Sequence, residues 1–232
     1  MPNHRDSNSI ITADNNFNFI SPSLSDIPKF NNKLRLGILA SGKGSNFEAL
    51  FNATMSSILD AQICLLVVNN PDSLALKRAK RLSVPHQVIN HQDYKNRHEH
   101  EVEIINSFKK SNVEAIVMAG WMRIVTPTLI NAFPERLINI HPSLLPSFRG
   151  INAIEKALTS GVKITGCTVH LVKEEVDSGP ILIQAAVPIL DNDSVNSLSL
   201  RIQKQEHIIL PLGVAIAGEK WRRLDIMDKM YS

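Results

Sequence analysis

The sequence predicts an α/β protein with a mostly parallel, doubly wound sheet and an antiparallel addition toward its C-terminal part. Three observations carry that expectation. From residue 34 onward, short apolar runs alternate with stretches of helical periodicity, the pattern of repeated β-α-β units. The first run leads through Ser41-Gly42-Lys43-Gly44-Ser45-Asn46 into a helical pattern, as the strand-turn-helix units of parallel sheets do. The last two runs, 165–172 and 181–189, are joined across Asp177-Ser178-Gly179-Pro180, a turn sequence that suits a hairpin.

The chain of 232 residues is long enough to bury a sizeable core in one domain. Residues 1–33 are rich in Asn, Ser and Asp, lack hydrophobic periodicity and contain Pro2, Pro22 and Pro28. They read as a disordered tail whose removal should leave activity and melting temperature nearly unchanged. The folded domain is expected over 34–232. The apolar pieces of the tail, Ile10-Ile11 and Phe17 to Ile20, are too short for a signal-peptide core, and its acidic residues do not suit a transit peptide. With 25 basic and 22 acidic side chains well mixed, the charge of +3 does not argue for nucleic acid, though it suits a modestly anionic small ligand. No apolar run approaches the ~20 residues of a membrane span. Cys64 and Cys167 sit in apolar segments without Cys-x-x-Cys spacing and read as reduced core residues of a cytoplasmic protein.

The elements follow in order. Arg35–Ala40 is an apolar strand. After the glycine turn, Phe47, Leu50, Phe51, Met55 and Ile58 recur at helical spacing, and Ser45-Asn46-Phe47-Glu48 has the form of a capping box. A glycine turn leading to a helix start makes an anion site, because free backbone N–H groups and the positive helix end point at one spot. It is not a nucleoside triphosphate loop: Gly44 stands where Ser or Thr would hold magnesium. It is not a dinucleotide fingerprint either, since Phe47 occupies the third glycine position. Ile63–Val68 is a strand, 73–82 a helix, 86–89 a short strand and 94–111 a helix with Val102, Ile105 and Phe108 on one stripe. The strand 115–119 runs into Gly120-Trp121-Met122-Arg123-Ile124-Val125. A further strand begins at Leu137, a helix spans 152–160, and the two hairpin strands come next. Asp193-Ser194 starts a last helix that Pro211 is expected to interrupt.

The candidate chemistry centres on Asn139-Ile140-His141-Pro142. Pro142 and Pro146 forbid regular continuation, so the strand from Leu137 ends at His141. Residues two apart on a strand share a face, which places Asn139 and His141 together at the carboxyl end, where open α/β sheets bind ligands. An amide donor beside an imidazole can stabilise an oxygen that gains charge and can move a proton near neutral pH, as acyl-type transfer requires. His98 and His100 lack a metal-ligand partner pattern, and no metal is expected. His170, inside a strand, reads as structural.

Gly44-Ser45-Asn46, Gly120-Trp121-Met122-Arg123-Ile124, Asn139-Ile140-His141-Pro142-Ser143-Leu144-Leu145-Pro146 and Asp177-Ser178-Gly179-Pro180 together resemble the folate-dependent phosphoribosylglycinamide formyltransferases of purine synthesis. The likeness runs from about Leu34 to Pro211. It implies a Rossmann-like formyltransferase sheet and transfer of a formyl group from 10-formyltetrahydrofolate, as co-substrate, to the amine of phosphoribosylglycinamide. By the same resemblance Asn139, His141 and Asp177 form the catalytic trio, Asp177 favouring the charged imidazole. The resemblance also implies that Gly44, Ser45, Asn46, Gln203 and Glu206 bind the nucleotide substrate and that Arg97, Met122, Arg123, Ile124, Val125 and Asn139 face the folate. Small-molecule substrates, no nucleic acid or membrane partner, and a monomer or homodimer follow.

The chain departs from that family at Asn152 and Ile154, where a histidine is common, and at Ser147-Phe148-Arg149, which replaces lysine-containing versions of the loop. Two other readings stand beside it. A formyltetrahydrofolate deformylase resembles the same trio but carries an extra regulatory domain that 33 polar residues cannot form. A non-catalytic folate- or nucleotide-binding protein would have no use for the trio.

Overall fold

The computed structural model describes residues 19–24 and 26–230. The strands are β1 (Phe19–Ser21), β2 (Leu34–Ala40), β3 (Ala61–Val68), β4 (His86–Val88), β5 (Ala115–Met118), β6 (Leu137–His141), β7 (Ile164–Leu171) and β8 (Ile181–Pro188). The helices are α1 (Ser45–Met55), α2 (Leu74–Arg81), α3 (Arg97–Lys110), α4 (Pro127–Ala132), α5 (Ala153–Thr159) and α6 (Val195–Met230). The strands form one sheet in the order β1-β8-β7-β6-β5-β2-β3-β4. Pairing is parallel from β4 through β6 and antiparallel from β6 through β7 and β8 to β1. The α/β expectation with its antiparallel addition is therefore met.

Strands buried on both faces separate two apolar layers. On one side Leu36, Ile38 and Val169 pack with Phe47 and Leu50 of α1, Leu76 of α2 and Leu198, Ile209 and Trp221 of α6. On the other, Leu39, Val67 and Ile116 pack with Ile104, Ile105 and Phe108 of α3 and Leu129 of α4. The parallel strands share one direction, so their carboxyl ends lie along one edge, with the loops after β2, β5 and β6 side by side.

Three expectations need correction. The helix over Val195–Met230 runs through Pro211 instead of stopping there. The proline withdraws one N–H from the ladder, but Ile209, Leu210, Val214 and Ala215 around it are fully buried, and that tertiary packing outweighs the local break. The capping box is not formed: the cap is Gly44, in the left-handed region at φ 71°, without a side-chain cap. Glu48 instead pairs with Arg78 and Arg81 of α2. The helix α4 had no place in the sequence reading; Thr126 caps it, accepting from the Thr128 N–H at 3.2 Å.

The third correction concerns the tail. Its first 18 residues lie outside the described residues, but Phe19–Ser21 pair antiparallel with β8, Ile20 opposite Ala185. Ile20, Ile27 and Phe30 pack against the core, and the Phe30 N–H donates to Asp60 Oδ2 at 2.8 Å. Arg222 of α6 donates to the Asn32 carbonyl at 3.2 Å and stands over the Phe30 ring. Composition misses such a segment because its order comes from backbone pairing with a strand about 165 positions away. Deleting residues 1–33 is expected to lose on the order of 3 kcal/mol of burial and to lower the melting temperature by about 6–12 °C in a thermal scan. An unchanged midpoint would show that the segment contributes nothing to the fold.

Candidate active site

The central strand β6 carries Asn139 and His141 at its carboxyl end, and its pairing with β7 sets Asn139 opposite His170 and His141 opposite Thr168. Asp177 arrives from the β7–β8 connection with a left-handed backbone, φ 53°, which Asp and Asn tolerate better than other side chains. The side chains of His141 and Asp177 are only 8% and 7% exposed.

Asp177 is the hub of this group. Its Oδ2 lies 3.2 Å from His141 Nδ1 and accepts the Gly150 N–H at 2.9 Å. Its Oδ1 accepts from Asn139 Nδ2 at 3.4 Å and lies 3.5 Å from His170 Nε2. The other nitrogen of His141, Nε2, faces the Phe148 carbonyl at 2.9 Å, so both nitrogens of the ring meet acceptors and only the doubly protonated ring offers a hydrogen to each. Burial alone would raise the Asp177 carboxyl, but the hydrogen bonds from His170 and Gly150 and the charge of His141 outweigh it and hold the group below the usual value.

His170 belongs to the site, contrary to its structural reading. Its Nδ1 lies 2.8 Å from the Leu171 carbonyl, and Nε2 lies 3.3 Å from Asn139 Nδ2. That nitrogen also donates to Asp177 Oδ1, so His170 stands beside the Asn139 amide and fixes the carboxylate that anchors it. The signal that could find it is non-local: once β6 and β7 pair antiparallel, His170 must oppose Asn139.

These groups line one side of a cleft of about 650 Å³. The loop 121–125 lines the same cleft. Met122 and Ile124 expose their apolar side chains into the cleft, while Val125 is buried as an anchor. Burial, then the neighbouring charge of Arg97, pushes the Arg123 guanidinium down from its ordinary value, against Glu101. Arg97, at the start of α3, does not line the cleft itself, but it stands close enough to Arg123 to repel it, and an anion between the two would relieve that repulsion. The loop is tied to the glycine turn after β2, since Met122 N–H donates to Ser41 Oγ at 2.9 Å and Ser41 N–H to the Gly120 carbonyl at 3.0 Å.

Beyond that tie lies the start of α1. Gly44, Ser45 and Asn46 present the first-turn N–H groups that no helical carbonyl can reach. Asn46 donates through Nδ2 to Glu206 Oε2 at 3.0 Å, and its buried Oδ1 has no partner among the described residues. Burial raises the Glu206 carboxyl above its usual value, only partly offset by the Asn46 bond. Gln203 stands one turn earlier on α6, half-buried. Among the described residues, no group of three or more His, Cys, Asp and Glu side chains is arranged to hold a metal.

A doubly wound sheet that carries an Asn-His-Asp cluster, an apolar cleft and an anion-ready helix start along one edge defines an enzyme of the group-transfer class. The chain belongs to the formyl transferase family, whose profile matches residues 34–214. It is 39% identical to the phosphoribosylglycinamide formyltransferase of Bacillus subtilis (strain 168), over 80% of this chain and 98% of that one. It is 43% identical, over 83% of its length, to the trifunctional purine biosynthetic protein adenosine-3 of Chironomus tentans, and spans only 14% of that relative. Among solved structures it resembles glycinamide ribonucleotide transformylase 1 from Symbiobacterium toebii, with a TM-score of 0.80 at 36% identity, covering 82% of this chain and 90% of that one.

Proposed function

We propose that this chain transfers a formyl group from 10-formyltetrahydrofolate to the amine of phosphoribosylglycinamide, in purine biosynthesis. The observation that carries the reading is that the Asp177-centred cluster, the apolar loop and the start of α1 follow one another along the carboxyl edge of β6, β5 and β2, which gives the cluster two unlike subsites on one edge. The exposed Met122 and Ile124, with Arg123 and Arg97 beyond, suit a flat pterin with an acidic tail. The α1 start suits a phosphate. The unpartnered Asn46 Oδ1 and the Glu206 carboxylate are two acceptors side by side, which a ribose diol would satisfy with two hydroxyl donors.

In the reaction the free amine attacks the formyl carbon and a C–N bond forms, while the carbonyl electron pair moves to oxygen. His141, once its Nε2–H leaves the Phe148 carbonyl, and one N–H of the Asn139 amide donate to that oxyanion. Asn139 can turn an N–H to it because its present bond to Asp177, at 3.4 Å, is long and weak. Collapse breaks the bond to the folate nitrogen, which takes up the proton that the amine gives up, relayed through His141 and Asp177. No metal is needed, since the charge that develops is met by hydrogen-bond donors.

The two free cysteines, both buried, accord with a cytoplasmic setting, and a monomer or homodimer would serve equally because every site group comes from one chain. Among the described residues no helix is long and apolar enough to cross a membrane. The test is turnover of 10-formyltetrahydrofolate with and without phosphoribosylglycinamide. Strict dependence on the amine is expected; formate release that ignores it would make the protein a deformylase.

Glu206→Gln is expected to raise the KM for the amine substrate about tenfold, the loss of one good hydrogen bond to a charged group. It should also raise the melting temperature at neutral pH. A carboxyl whose folded pKa lies above its unfolded value favours the fold at low pH, and that advantage is lost as pH rises through the folded value. The stabilisation of the variant should therefore vanish below pH 4.5. Destabilisation at pH 7 would mean that Glu206 is structural.

A further inference from the structure

Behind the folate-side loop lies a buried aromatic stack that formyl transfer does not use. His100 of α3 is 1% exposed, although a sequence of Arg97, His98, Glu99, His100 and Glu101 reads as a solvated face. Its ring lies parallel to the Trp121 indole, at an interplanar angle of 2° and a centroid distance of 6.1 Å, and Tyr94 meets it edge-on at 5.3 Å. Its Nε2 lies 2.9 Å from the Ile89 carbonyl and so carries the hydrogen. The titratable and charged groups that face it are His91, edge-on at 6.4 Å, Tyr94, Arg123 and Glu101. Burial first, and then the charges of Arg123 and His91, keep the ring below the ordinary histidine value despite Ile89 and Glu101, so it is neutral at pH 7.

The next residue of α3 holds the far end of the same loop. The Glu101 carboxylate accepts the Thr126 N–H at 2.8 Å and the Thr126 hydroxyl as well. Between these fixings Trp121 is a buried root and Met122 a free tip, 8% and 81% exposed. Consecutive side chains of one helix thus clamp both ends of the segment that lines the cleft.

We propose that His100 is a positioning residue for the folate-side loop: its neutral ring, stacked on Trp121 and backed by Tyr94, sets the attitude of Met122 to Val125. This rests on the reading above that those residues hold the folate. Protonation puts a cation beside Arg123 and into a dry aromatic setting, which disfavours the present seating of the loop while the ring still faces the indole. Folate affinity therefore falls in acid as the ring takes up its proton.

Two variants separate ring from hydrogen bond. His100→Gln keeps an N–H for Ile89 but loses the ring, whereas His100→Phe keeps the ring and loses the N–H. The KM for 10-formyltetrahydrofolate is expected to rise about tenfold in the first and stay within about threefold in the second, with the amine KM little changed in both. An equal rise for both substrates, or a Phe variant as impaired as Gln, would overturn the proposal. A readout that needs no turnover is Trp121 emission in a Trp221→Phe background, which should be quenched as pH falls below 6.5, because an imidazolium quenches a stacked indole. His100→Phe should abolish that pH dependence, and a pH-flat emission with His100 in place would also overturn the proposal. Failure of the folate assignment reads differently: saturating tetrahydrofolate would leave Trp121 emission unmoved while the acid quench persisted, and the proposal would fall with the reading on which it rests.

Discussion

Asp177→Asn is expected to lower kcat by roughly a hundredfold or more, on the scale of acid-base and oxyanion groups, while both KM values change little. The substitution preserves shape, and asparagine accepts the left-handed backbone at φ 53°. What it removes is charge and acceptor capacity. Oδ2 now receives the Gly150 N–H and faces His141 Nδ1, while Oδ1 receives Asn139 Nδ2. An amide must place its NH₂ at one of these two positions, donor against donor. Either His141 Nδ1 loses its acceptor, or Asn139 loses its anchor. His141→Ala should be comparably damaging.

The double change should cost far less than the product of the two, because groups acting as one unit are not additive. Full multiplicativity in steady-state kinetics would show that Asp177 and His141 work independently. A second readout separates charge from geometry. A carboxyl depressed in the fold stabilises it above the ordinary carboxylate value, and this stabilisation is lost as pH falls through the lower folded value. The Asn variant should lack that acid limb in its stability profile.

How far the sequence reaches depends on whether a feature is local. Asn139 and His141 are legible because two prolines end their strand and strand periodicity puts both on one face. The anion-ready start of α1 is legible because glycine turn and helix adjoin. His170 is not, since its meeting with Asn139 depends on the β6–β7 register. The burial of His100 and Glu101 escapes for a like reason: their polarity reads as solvent-facing until α3 is laid against the loop that follows β5. Strand β1 and the unbroken α6 are tertiary outcomes too, one made by an open sheet edge and the other by packing that overrides a proline. Asp177 is legible only through its family likeness, because an aspartate in a turn has a sufficient local reason to be there.

Gly44→Ala is expected to damage both fold and nucleotide binding, for reasons that one control can separate. At φ 71° a Cβ costs about 1–2 kcal/mol. It would also stand 2.6 Å from Ala75 Cα, a backbone atom that no rotamer can move aside, so the buried start of α2 must shift, at about 1–3 kcal/mol. Together these come to on the order of 3 kcal/mol and about 6–12 °C in melting temperature. The same shift turns the first N–H groups of α1 away from the phosphate, so the amine-substrate KM should rise tenfold or so, on the scale of a lost charge-assisted bond, and the folate KM should not. The control is Gly42→Ala in the same turn, where an added Cβ meets nothing within 4 Å. It should leave the melting temperature and both KM values nearly unchanged. If the two variants melt alike, close approach is not the reason for Gly44; if Gly44→Ala raises both KM values equally, the helix start is not the phosphate site.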